Sequence, residues 1–133
     1  MKRIIPHLRI ENCKEAIQYY QAVFGGEIKN TQLSDGIEMF KGHEGKYIHA
    51  ELHINENCIL YFADTFNTEM SKGNQLLLGP DLDSEEEIKR TYTELSQEGQ
   101  VQMELQDTFW NAKYAVVQDK YGITWELNFT KQK

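Results

Sequence analysis

Cysteine is scarce in this 133-residue chain, with only Cys13 and Cys58 present. They form no CxxC pair, and the cytoplasmic setting inferred below keeps thiols reduced. Neither has a sequence neighbour that fixes a base beside it, so nucleophilic thiol chemistry has little support. Cys13 falls in the first turn of an expected helix, where a thiolate is favoured, and the alternative is a free thiol without a role. Basic residues are also few. Lys and Arg number 14 against 21 Asp and Glu, for a formal net charge of -7, and they are scattered rather than gathered into a patch. Binding to nucleic acid or to an anionic membrane surface is therefore not expected. No apolar run approaches the roughly 20 residues that span a bilayer. The segment Met1–His7 carries two basic residues but no apolar stretch of signal-peptide length. The expectation is a cytoplasmic protein. A glycine-rich turn leading from a strand into a helix, as a nucleotide-like cofactor would want, is also missing. Gly25-Gly26 follows a helix and reads as its stop.

What is present is the balance of a globular domain, 40% hydrophobic and 26% charged. Its elements run in the same order twice. A strand is expected over 4–10, with Ile4, Leu8 and Ile10 on one face and Ile5, His7 and Arg9 on the other. Asn12 and Glu15 form a capping signal, and Ala16, Ile17, Tyr20, Val23 and Phe24 follow at helical spacing. A strand is expected over Glu27–Leu33, then a polar stretch containing His43. Residues 47–54 alternate, with Ile48, Ala50, Leu52 and Ile54 opposite Tyr47, His49, Glu51 and His53. Asn55-Glu56-Asn57 turns the chain into Cys58–Ala63. After a polar connection, a strand over 74–79 opens the second copy. Asp83 and Glu86 cap a helix carrying Ile88, Tyr92 and Leu95, closed by Gly99. Strands over about 101–107, 113–118 and 123–129 follow, the last two joined by Asp119-Lys120-Tyr121-Gly122. The fold expected is α+β: paired βαβββ modules of about 1–64 and 74–133 within one domain, 1–133. Their sheets form a curved, cup-shaped mixed sheet with the helices on its outer face. A single ferredoxin-like domain is the alternative.

Three stretches resemble a known family. The first holds Ile5-Pro6-His7-Leu8, Cys13 to Tyr20, and Phe24-Gly25-Gly26-Glu27. The second holds His49-Ala50-Glu51-Leu52 and Ile59 to Asp64. The third holds Asp107-Thr108-Phe109-Trp110 and Asp119 to Leu127. In order and spacing they resemble the PhnB-like group of the glyoxalase/bleomycin-resistance (vicinal oxygen chelate) superfamily, over nearly the whole chain. The resemblance implies paired βαβββ modules, a homodimer and a cup-shaped site for a small molecule. The superfamily includes metal-dependent isomerases and dioxygenases as well as metal-free binding proteins, so the chemistry stays open. The group's label as a demethylubiquinone methyltransferase finds no matching motif here.

The resemblance also implies four metal positions, which fall near Ile5, Tyr61, Asn74 and Glu126. Only Glu126 keeps a ligand typical of those enzymes, so neither the usual metal nor another cofactor is expected. The expected ligand-binding residues are His7, His49, Glu51, Tyr61, Trp110 and Glu126. Imidazoles and carboxylates on one face exceed what a dry core accepts. Three readings stand. In the first they bind a small polar molecule, with a His or Glu as general base. In the second His7, His49 and Glu126 form an off-pattern metal site serving a lyase, isomerase or dioxygenase. In the third they are solvated, or buried in the interface of a noncatalytic dimer. Trp110, in a loop, either closes over a ligand or covers a dimer seam.

Overall fold

The computed structural model describes residues 1–131; the expected boundary at 133 lies outside the described residues. The protein is α+β and divides into two compact units, Met1–Met70 and one from Ser71 onward.

The first unit runs β1 (His7–Arg9), α1 (Cys13–Phe24), β2 (Glu27–Leu33), a single 3-10 turn (Glu38–Phe40), β3 (Tyr47–Asn55) and β4 (Cys58–Ala63). The sheet order is β1-β4-β3-β2, with β1 parallel to β4 and the other pairs antiparallel. β1 is shorter than expected because Pro6 has no N–H to donate to the ladder, and Ile4 is exposed rather than facing the core. Cys13, Ala16, Ile17, Tyr20 and Val23 form the buried stripe of α1. It packs on β3 and β4, where Ala50, Leu52, Leu60 and Phe62 are buried with Leu8 of β1. Each large apolar side chain removed from water here is worth about 2 kcal/mol. Because strand side chains alternate, covering this face sends His7, His49, Glu51, His53 and Tyr61 to the other one.

The start of α1 differs from expectation. Asn12 is left-handed (φ 60°) and makes no side-chain cap; its amide instead donates to the Glu15 carboxylate at 2.8 Å. The buried Asp64, at the end of β4, accepts from the Cys13 N–H at 3.1 Å and from the Tyr47 N–H at 2.7 Å. Burial, and then the Asp64 charge, push the Cys13 thiol up to about 12, so the thiolate expected at a helix start is not favoured. His43 is half-buried and stands edge-on to Phe66 at 5.9 Å.

The second unit holds α2 (Glu85–Ser96), β5 (Gln100–Asp107), β6 (Ala112–Gln118) and β7 (Thr124–Thr130), with sheet order β5-β6-β7. The strand expected over 74–79 does not form. Pairing beside β7 begins only at Leu78 and consists of isolated parallel bridges, Leu78 to Trp125 and Asp81 to Asn128. Pro80 interrupts the donors between them, and Leu76 is exposed. This extended segment lies parallel to β7 as β1 lies parallel to β4, which keeps the repeated plan. The cap of α2 is one residue later than expected: Ser84 Oγ accepts from the Glu87 N–H at 3.0 Å, and Glu87 accepts from the Asp83 N–H at 3.0 Å. α2 buries Ile88, Thr91 and Leu95 and packs on its own sheet, where Ala115, Val117, Trp125 and Leu127 are buried. In the turn after β6, the buried Asp119 accepts from the Tyr121 and Ile123 N–H groups and from the Trp125 indole.

Candidate functional site

The sheet register of the first unit sets His7 beside Tyr61, Tyr61 beside Glu51, and Glu51 beside Lys29. On this face the rings of His7, His49 and Tyr61 meet edge-on. Centroids are 4.8 Å apart for His49 and Tyr61, 6.3 Å for His7 and Tyr61, and 6.4 Å for His7 and His49.

Glu51 is the fixed point of the cluster. It is only 8% exposed, and a lone carboxylate there would be costly. His49 Nε2 lies 2.7 Å from one of its oxygens and His53 Nε2 lies 2.7 Å from the other. The amide of Asn30 donates to the His53-facing oxygen at 2.9 Å. Burial opposes the charge. The hydrogen bonds from His49, Asn30 and His53 outweigh it and hold the carboxyl at about 2. An ionised carboxylate only accepts. Both imidazoles must therefore donate from Nε2, and each neutral ring then carries its lone pair on Nδ1. Among the described residues neither Nδ1 has a hydrogen-bond partner, and the His49 and His53 side chains stay 31% and 24% exposed. Burial first, then His49, then Arg9 lower the pKa of His7, leaving that ring neutral at pH 7.

Asn30 was not legible as a site residue. It is left-handed (φ 53°) within β2, where the register with β3 shifts between Lys29 and Gln32. A side chain other than glycine in this conformation is strained, and Asn tolerates it best. The one sequence signal is an Asn in mid-strand, a position that disfavours it.

Trp110 and Glu126 belong to the second unit. Trp110 sits in the β5–β6 turn, 46% exposed, with Phe109 beside it 97% exposed. Its ring meets Phe109 at 4.9 Å and Tyr114 at 5.5 Å, both nearly perpendicular. Burial, then the charge of Glu126 and a hydrogen bond to it, push the Tyr114 phenol up. The structure thus groups His7, His49, Glu51 and Tyr61 in one unit. In the other, Trp110 meets Tyr114, which shares a sheet face with Glu126 and which sequence reasoning missed.

The superfamily's metal does not fit this donor set. Ile5 offers no donor, and Asn74 is exposed outside any strand. Among the described residues no three His, Cys, Asp or Glu side chains form a group that could hold a metal ion.

Residues 4–127 match the model of the Glyoxalase/Bleomycin resistance protein/Dioxygenase superfamily. Protein YjdN of Escherichia coli (strain K12) is 29% identical over 136 residues, covering 92% of this chain and 90% of its own. The crystal structure of protein PA1353 from Pseudomonas aeruginosa superposes with a TM-score of 0.86 at 27% identity, over 99% of this chain and 100% of that one. A Bacillus cereus structure described as a putative 3-demethylubiquinone-9 3-methyltransferase, PhnB protein, gives 0.83 at 27% identity, over 97% and 100%.

Proposed function

The chain belongs to the Glyoxalase/Bleomycin resistance protein/Dioxygenase superfamily, with PhnB-like relatives, and on that premise we propose that it binds a small polar organic molecule without the superfamily's usual metal. The observation that carries this is the Glu51 clamp. Compared with well-packed apolar side chains a buried charge network adds little net stability, although breaking one member of it is costly. What the clamp adds is a fixed proton arrangement on an accessible surface.

Glu51 acts behind the site and orients His49 and His53, whose Nδ1 atoms accept from ligand hydroxyl or amino groups. His7, neutral at pH 7, and the Tyr61 hydroxyl complete the polar contacts. His49 is the group proposed to take a proton, with Glu51 holding its ring from Nε2. Trp110 and Glu126 are ligand contacts of the second unit. The methyltransferase activity named for the Bacillus cereus protein is not carried to this chain, since the Gly25-Gly26 pair ends α1 rather than opening a helix. The working form is a homodimer. β2 and β5 lie at sheet edges, and edges of this kind are commonly covered in assemblies.

The test is native mass spectrometry of freshly purified protein with elemental analysis, followed by ligand titration of variants. A metal-free dimer carrying a small organic mass agrees with the proposal. One stoichiometric Zn, Ni, Mn or Fe per site contradicts it. With the captured molecule as ligand, His49→Ala and Glu126→Ala should each weaken binding about tenfold or more, the effect of removing a hydrogen bond to a charged or oriented partner. Unchanged affinity in both would remove the site from these residues.

A further inference from the structure

We infer that the second unit carries a subsite for a small organic cation of the alkylammonium type, formed by Trp110, Tyr114 and the Glu126 carboxylate. The inference rests on placing Trp110 and Glu126 among the ligand contacts, and it names the chemistry they take.

The first support is the shape of the aromatic group. Trp110 and Tyr114 stand 77° apart with centroids 5.5 Å from one another, so together they form a corner rather than a stack. Phe109 meets Trp110 at 88° and 4.9 Å. The face of an aromatic ring is electronegative and attracts a cation within about 6 Å of its centroid. In such an edge-to-face pair the faces of the edge-on ring stay uncovered by its partner, and one of them can take a rounded cation. Trp110 remains half-exposed, so its indole is open to a partner.

The second support is the distribution of charge. The cations of this sheet are directed elsewhere. Lys113 pairs with Glu85 at 3.5 Å and Asp107 at 3.4 Å, and Lys131 also pairs with Asp107. Among the described residues no Lys, Arg or His pairs with Glu126. Tyr114 lies on the same face one pair further along the β6–β7 ladder, opposite Asn128, where the Glu126 charge acts on its phenol. The carboxylate stands on the sheet face that carries Tyr114, and a ligand cation would supply its counter-charge. The chain's net charge of -7 favours the approach of such a ligand.

The test uses choline and its uncharged isostere, in which carbon replaces the quaternary nitrogen, each titrated while the Trp110 and Tyr114 ring signals are followed by NMR. Trp125, buried and hydrogen-bonded to Asp119, is the internal reference. Choline should shift Trp110 and Tyr114 while leaving Trp125 still, and the isostere should bind about tenfold more weakly. Trp110→Ala and Glu126→Gln should each weaken choline by about fivefold or more. Equal shifts by both compounds would overturn the cation chemistry yet keep Trp110 as a ligand contact. No shift by either would overturn both. Broadening of Trp110 that grows with protein concentration and ignores choline would assign the corner to a second copy of the chain, again overturning the inference.

Discussion

Replacing Glu51 by Gln tests the electrostatics of the cluster quantitatively. The folded state holds this carboxyl at about 2, against an ordinary 4.5. That difference corresponds to about 3 kcal/mol by which the clamp favours the ionised over the protonated form. The folded pKa is depressed, so the contribution is fully present above the ordinary value and is lost as pH falls from about 4.5 through about 2. Gln is close in shape to the protonated acid and cannot ionise. Glu51→Gln should therefore cost about 3 kcal/mol at pH 7, and the gap should shrink to about 1 kcal/mol at pH 3. Urea denaturation of both proteins at pH 7, 5, 4 and 3, with equal slopes, measures the gap directly. A gap under about 0.5 kcal/mol at pH 7, or one that does not change between pH 7 and pH 3, would refute the reasoning.

Asn30→Ala should destabilise by about 2 kcal/mol, through loss of a hydrogen bond to a charged acceptor. Asn30→Gly should cost about 1 kcal/mol less, because glycine relieves the left-handed strain; a Gly variant weaker than Ala would contradict this. In native protein one thiol per chain should react quickly with a maleimide, since Cys58 is exposed and Cys13 is buried with its thiol at about 12; rapid labelling of both without denaturant would contradict the burial. Gly26 packs against β3, where an added Cβ would fall on the His53 carbonyl and 2.6 Å from the Ile54 Cα. Gly26→Ala should therefore destabilise by about 2 kcal/mol or more and disturb the His53 ring signals, whereas an unperturbed spectrum would show that β3 yields without cost.

Strand β3 was legible because it is covered on one side. Ala50 and Leu52 face the helix while His49, Glu51 and His53 alternate to the other face, so period 2 in the sequence becomes orientation in the fold. Orientation is where the legibility stopped. Alternation places the two imidazoles on either side of Glu51 but does not say that both rings turn onto it. The third partner, Asn30, comes from another strand through a register shift, and no local pattern encodes that shift. The same holds for the start of α1. Asn12 reads as a cap locally, yet Asp64, 51 positions beyond Cys13, takes the Cys13 N–H. The second unit's first strand failed for a different reason. Leu76, Leu77 and Leu78 carry no alternation, and Pro80 breaks the donor row that would have made one strand of the bridges at Leu78 and Asp81. Tyr114 was read only as part of a strand, because its link to Glu126 runs across β6 and β7.

On the proposed function, Glu51 fixes the protons of His49 and His53 on Nε2 and leaves Nδ1 to a ligand. A long-range proton–nitrogen NMR spectrum of the imidazoles at neutral pH tests it most directly. Both rings, in their neutral form, should be the Nε2–H tautomer, with that preference lost in Glu51→Gln. Neutral rings protonated on Nδ1, or a tautomer balance indifferent to Glu51→Gln, would contradict it.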